Sequence, residues 1–382
     1  MTFKTLQIGL GWFPEHAGGL DRYYYDCCRY LPDAGVEVRG LVAGSEQVLA
    51  DSGGQVSAFA PHTASVLARW QKLRQASQPI LQTEAVPLVV SHFALYTLPL
   101  LNLLGKKPLV VHFHGPWALE SILEQPGNRR SLSTQAKFLL EQRVYRRASH
   151  CIVLSQAFAE ILHREYRVPM AQIHVIPGGV DGDRFQTPFT PAEARAKLGW
   201  DGDRPTLVTV RRLARRMGLE NLIAAIAQVR LHQPDILLHI VGKGELSASL
   251  QAQIDELDLN NHVRLLGYIP DEQLGLIYRA ANFSIVPTIA LEGFGLIVVE
   301  SLAAGTPVLG TPIGGIPEIL QPFSPDLLLE GSEPNQLAQG ILEVLAGQRQ
   351  LPSASDCQTY VQQHYEWRAI AGRIREVYEL AI

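Results

Sequence analysis

Short apolar runs recur along the chain near 6–11, 36–42, 88–91, 109–113, 151–154, 173–176, 207–210, 237–241, 263–266, 283–286, 308–309 and 327–329. Most are separated by helix-length segments of amphipathic pattern. A strand that is apolar at successive positions has both faces buried, which happens when helices cover a parallel sheet on both sides. The pattern predicts a doubly wound α/β architecture, with ligands expected at the carboxyl ends of the strands. No internal repeat or low-complexity tract interrupts it.

With 382 residues, 47% of them hydrophobic and only 18% charged, the chain is long enough for two such cores. Gly, Asp and Pro concentrate between 177 and 205, which places a hinge there. The expected domains are 1–185 and 186–364, followed by a closing segment, 365–382. A net charge of −4 provides no global basic field for nucleic acid. Cys27, Cys28, Cys151 and Cys357 form no C-x-x-C pair, and adjacent cysteines in a helical pattern suit reduced thiols in a cytosolic compartment. The first residues carry no basic, long apolar leader pattern, and the longest apolar stretch, 93–104, is too short to span a bilayer. A cytoplasmic protein, soluble or peripheral, is expected.

The densest chemistry lies in 287–318. Glu292 and Glu300 stand eight apart, and Gly293, Phe294 and Gly295 lead into an apolar run that reads as a helix from Leu296. Glycines permit close backbone approach, and the free N–H groups and positive dipole end of a helix favour an anion such as a diphosphate. Glu292 would repel phosphate, so it suits sugar hydroxyls just beyond it, and Glu300 suits ribose hydroxyls. After the run ending near Val210 comes an arginine cluster, Arg211, Arg212, Arg215 and Arg216, and a guanidinium fork can hold phosphate oxygens in paired charged hydrogen bonds.

This arrangement resembles the E-x7-E signature of retaining glycosyltransferases of the family 4 type, which carry the GT-B fold of two facing Rossmann-like domains; the resemblance extends over nearly the whole chain. Arg212 falls on the arginine of the family's diphosphate clamp, G-R-L…K-G. Two positions depart from it: Arg211 stands where the family usually has glycine, and Met217 where it has lysine. The resemblance implies an active clamp with a relocated cation, and Arg211, Arg215 and Arg216 are the candidates. Gly242 and Gly244 resemble the strand-end turn near the nucleotide, Tyr268 and Ile269 the segment that meets the base, and 311–318 the phrase that closes the donor pocket. In the first half, Gly18 and Gly19 resemble the loop that meets donor and acceptor, and His114 matches the active-site histidine. Arg22, His92 and Trp117 are acceptor-side candidates. Residues 177–185 resemble the family's linker phrase, and 365–380 the helix that crosses back onto the first domain.

The resemblance implies a metal-independent, cofactor-free transfer with retained anomeric configuration, from a nucleotide diphosphate sugar to a glycan, glycolipid or small-molecule acceptor. UDP-sugars are expected ahead of GDP- or ADP-sugars, and His114, Glu292 and Arg212 are the expected catalytic residues. Two alternatives stand beside it: a nucleotide-sugar epimerase or hydrolase of the same fold, and a non-catalytic subunit that binds the nucleotide sugar.

Three further features have simpler readings. Asp181/Asp183 and Asp201/Asp203 spell D-x-D, a metal-binding pair in another glycosyltransferase fold, but turn chemistry explains them in a linker. Gly9 and Gly11 begin a dinucleotide fingerprint that Pro14 breaks where the third glycine is needed. The segment 129–150 carries Arg129, Arg130, Lys137, Arg143, Arg146 and Arg147 against Glu141, with apolar residues at helical spacing. It fits a solvated face over a core helix, or an interfacial helix drawn to anionic lipid.

Overall fold

The computed structural model describes residues 2–16, 18–83, 86–124, 131–200 and 202–382. They form two units: Met1–Gly179 together with Trp367–Ile382, and Val180–Glu366. The chain therefore leaves the first unit, builds the second and returns to finish the first.

The first unit is a seven-stranded sheet of β1 (Phe3–Ile8), β2 (Val36–Ala43), β3 (Val56–Ala60), β4 (Leu88–Ser91), β5 (Leu109–Phe113), β6 (His150–Val153) and β7 (Ile173–Val175), in the order β3-β2-β1-β4-β5-β6-β7. The second is a five-stranded sheet of β8 (Thr206–Val210), β9 (Leu237–Val241), β10 (Val263–Gly267), β11 (Phe283–Val286) and β12 (Val308–Gly310), ordered β10-β9-β8-β11-β12. Every pairing is parallel. As the continuous apolar runs require, β4, β5, β9 and β11 are buried at every position.

Both strand orders reverse once, between β1 and β4 and between β8 and β11. Loops leaving neighbouring strands there diverge to opposite faces and open a crevice, the usual place for a ligand in an open parallel sheet.

The structure corrects two strand expectations. Val56–Ala60 is an additional edge strand, and residues 327–329 make only one bridge, Gly310 to Leu328, after the 3-10 turn Pro325–Leu327. The four cysteines are free and buried, in keeping with reduced thiols. No helix among the described residues is long and apolar enough to cross a membrane.

Candidate active site: residue clusters at the strand-order reversals

In the second unit the reversal brings the loop after β8 against the loop after β11. Arg211, the first residue beyond β8, turns its side chain inward until it is only 4% exposed. Its Nη1 donates to Thr288 Oγ1 at 2.7 Å, and its Nη2 donates to Glu292 Oε2 at 2.7 Å and lies 2.9 Å from Met217 Sδ. Thr288 Oγ1 in turn donates to the same Glu292 oxygen at 2.9 Å. Burial lowers the Arg211 pKa, and the charge and hydrogen bond of the Glu292 carboxylate oppose that shift. The guanidinium thus fills the space beside Met217, where the resemblance calls for an ammonium.

The other arginines differ. Arg216 is half-buried and donates to the Leu291 carbonyl at 2.9 Å, while Arg215 is exposed. Arg212 is exposed and makes no side-chain bond among the described residues, which leaves its guanidinium available to an anion. Leu291, next to Glu292, has φ of 51°, a strained region for a branched residue and one often found at ligand sites. Gly295 at φ 94° opens the helix Leu296–Ala303. Glu300 is buried one turn along, where Tyr278 Oη donates to it at 3.4 Å.

Not every expected donor contact faces outward. Phe294 is buried and packs on Tyr365, with ring centroids 5.6 Å apart, so it is a core residue. A side chain on Gly242 would overlap the Arg211 carbonyl, and one on Gly244 the Leu213 carbonyl. Those glycines let the loops after β8 and β9 pack together, and the Gly242 N–H is already spent on the Gly267 carbonyl at 2.8 Å. Tyr268 is exposed beneath Lys243, whose ammonium lies 5.0 Å from the ring centre; Ile269 is half-buried and Gly293 partly exposed.

In the first unit, β5 delivers His112 and His114 and the end of β4 delivers His92. The three rings stack, His92 on His112 with centroids 4.3 Å apart and an interplanar angle of 22°, and His92 on His114 at 5.5 Å and 19°. They are the one group among the described residues with ligand nitrogens close enough for a shared metal, within 4.8 Å. An imidazole binds a metal in its own ring plane, so parallel stacked rings do not converge on one ion. Their nitrogens are engaged instead: His112 with Tyr23 Oη at 3.2 Å and Tyr378 Oη at 2.8 Å, and His92 with Gln7 Oε1 at 3.0 Å and His114 Nε2 at 3.2 Å. Burial pushes His114 down to about 3 and holds His92 and His112 well below the ordinary histidine value, so all three are neutral.

His114 is the partly exposed member, while His92 lies buried behind it. Gly18 caps the helix Gly19–Tyr30, and Gly19 has open space where a side chain would stand. Arg22 lies over the Phe13 ring at 4.3 Å, and Trp117 is half-buried under Lys137, which is 4.5 Å from its ring centre. Glu141, grouped in sequence with a basic surface, is a buried helix cap. It accepts from the Trp117 and Ala118 amides at 2.9 and 3.1 Å and from Tyr145 and Tyr166 at 3.1 and 2.9 Å. Burial still outweighs these donors and pushes it up to about 7. Gln7, Tyr23, Thr288 and Tyr378 carried no sequence signal. Arg129, Arg130 and Asp201 lie outside the described residues.

With this geometry in place, similarities to known proteins become informative. Residues 191–364 match the family described as glycosyl transferases group 1, and residues 17–184 match glycosyltransferase family 4. The chain is 30% identical over 217 residues to a GDP-mannose-dependent alpha-(1-6)-phosphatidylinositol monomannoside mannosyltransferase of Mycolicibacterium smegmatis, an alignment that covers 55% of this chain and 56% of the relative. It thus spans about half the length of such curated relatives. Among solved structures, sucrose-phosphate synthase from Thermosynechococcus elongatus superposes with a TM-score of 0.83 at 23% identity, covering 99% of this chain and 98% of the other. The Anabaena protein HepE in complex with UDP and glucose superposes at 0.79 with 22% identity, covering 99% of this chain and 100% of the other.

Proposed function

Because the chain belongs to the glycosyl transferases group 1 family, with a family 4 first half and the GT-B fold, we propose that it transfers a sugar from a nucleotide diphosphate donor to a hydroxyl acceptor, with retention and without a metal ion. The observation that carries this reading is the Arg211–Thr288–Glu292 cluster followed by Arg212, which has no side-chain partner among the described residues. A leaving diphosphate gathers negative charge, and fixed guanidinium groups stabilise it without reorganising. Glu292, held by two donors, is oriented to accept from sugar hydroxyls, and Glu300 to accept from the ribose. No side chain is needed as nucleophile if the acceptor attacks on the face that the diphosphate leaves and a phosphate oxygen takes its proton. The acceptor is assigned to the first unit, around His114, Trp117 and Arg22.

The GDP-mannose dependence of one relative and the UDP in one structural neighbour make both bases worth testing. UDP-glucose, GDP-mannose and ADP-glucose, each added with EDTA, should divide into one that raises the melting temperature and two that do not. A ligand at about 100 times its Kd stabilises by roughly 2.7 kcal/mol. Product from the effective donor should keep the donor's anomeric configuration. Inverted product, or activity lost to EDTA and restored by manganese, would overturn the mechanism; release of free sugar without an acceptor would favour the hydrolase.

A glycolipid acceptor is supported by the helix Leu132–Tyr145. One stripe of it and its end carries Leu132, Ala136, Leu139, Arg143 and Arg146, all exposed, with Leu132 at 84% and Leu139 at 63%. Apolar groups that insert, followed by cations, suit an anionic bilayer surface. The protein should sediment with phosphatidylserine vesicles at low salt, less so at high salt, and lose that binding on Leu139→Glu. Absence of salt-sensitive sedimentation would remove the membrane contact.

A further inference from the structure

The polar residues behind His114 determine which of its nitrogens carries the proton. Thr5 Oγ1 donates its only hydrogen to the Glu37 carbonyl at 3.2 Å, so toward Gln7 it can only accept. Gln7 Nε2 supplies that bond at 3.2 Å, which turns Gln7 Oε1 toward His92 Nε2 at 3.0 Å. An amide oxygen only accepts, so His92 Nε2 bears a hydrogen. His92 is buried, 2% exposed, in a stack of other imidazoles and holds a single ring proton. Its Nδ1 is therefore a bare lone pair, and His114 Nε2, 3.2 Å away, must donate to it. His114 is neutral as well, which leaves its Nδ1 as a lone pair with no partner among the described residues.

We propose that Gln7 and His92 are positioning residues that lock His114 in the Nε2–H form, so that its Nδ1 presents an acceptor to a ligand hydroxyl. The hydroxyl would belong to the donor sugar or the acceptor, and to that extent the inference rests on the transfer proposed above. A lone pair repels phosphate and carboxylate oxygens and attracts O–H groups, so the same locked ring selects a polyol over an anion. Protonating His114 or exchanging its tautomer would reverse that preference. Both are opposed by the chain of donors, which begins at a backbone carbonyl of β2 and could reverse only if Thr5 gave up its bond to that carbonyl.

Nitrogen-15 NMR of histidine-labelled full-length protein reads the tautomer directly, with the His114 signals identified by their loss in His114→Asn. The expected spectrum shows a protonated Nε2 and a bare Nδ1 for His114; the opposite assignment, or an imidazolium, at neutral pH overturns the proposal. Gln7→Met, which removes the acceptor but keeps the volume, should let the His114 tautomers mix, and an unchanged spectrum would dismiss Gln7 and His92 as the cause. If that variant fails to fold, the wild-type spectrum still decides the tautomer. For the ligand, UDP-glucose, GDP-mannose and ADP-glucose are compared with UDP, GDP and ADP. Gln7→Met should weaken the sugar nucleotide by roughly tenfold, the equivalent of one hydrogen bond, and leave the bare diphosphate unchanged. Equal weakening of both would refute the hydroxyl assignment. Failure of all three sugar nucleotides to bind would count against the transfer reading, while the spectrum would still judge the lock.

Discussion

Arg211→Met should abolish detectable transfer and destabilise the second unit by about 3–5 kcal/mol, the usual effect of removing one partner from a buried ion pair. The loss would come from both ends of the contact. Glu292, whose side chain is 15% exposed, would keep only Thr288 as a side-chain donor among the described residues, and the cation next to Met217 would be gone. Met217→Lys, the substitution that restores the family's usual residue, should harm the wild type, because its ammonium would enter the space occupied by the Arg211 guanidinium, 2.9 Å from the present sulfur. In an Arg211→Gly background the same lysine should recover much of the lost activity. A double-mutant cycle on kcat/KM and on urea midpoints measures this coupling, which for residues in contact is on the order of 0.5–3 kcal/mol. A large gain from Met217→Lys alone, or additive effects in the double variant, would show that Arg211 does not replace the missing lysine.

Acid should weaken the first unit well before ordinary carboxylates titrate. His92 and His112 are each 2% exposed and hold pKa values well below 6.5 in the folded state. Above pH 6.5 neither state of the chain protonates them, and their contribution is fully present. With His114, held to about 3, the unfolded chain binds three protons that the folded unit refuses as pH falls below 6.5, so stability falls. Glu141 works in the opposite sense: its folded pKa is raised to about 7 from 4.5, so the folded unit gains a proton first as pH drops through that window. Three histidine protons against one for Glu141 bring the net uptake on unfolding to about two protons toward pH 5, or roughly 2.7 kcal/mol lost per pH unit there. Urea midpoints between pH 7 and 5 would record the slope, and His92→Gln with His112→Phe should flatten it. A midpoint that does not move with pH would refute the buried neutral stack.

Much of this molecule was legible from its residues. Continuous apolar strands such as Leu237–Val241 announced parallel sheets because burial on both faces leaves no polar alternation. Val56–Ala60 escaped notice because it is an edge strand with half-buried positions, preceded by Gly53 and Gly54. Glu292, Arg212 and His114 could be singled out as candidates because each lies in a local phrase. Gln7 and Tyr378 could not: they meet their histidines across sequence separations of 85 and 266 residues, through strand order and the late helix, which no local pattern encodes. Arg211 was visible as a departure from glycine, but its direction was not, since only the crossing loops after β8 and β11 turn it from a surface charge into a buried partner of Glu292. Phe294 misled for the opposite reason: lying between Gly293 and Gly295 it reads as one of the donor contacts, yet it is anchored on Tyr365.

The helix Trp367–Ala381 belongs to the first unit although all of the second precedes it in the chain. On the ribosome, residues up to Gly179 must wait, with His112 lacking its Tyr378 partner, while 187 intervening residues are made and can fold by themselves. The second unit would mature first, and the nascent first unit would be the one exposed to chaperones and proteases until Trp367–Ala381 has been made.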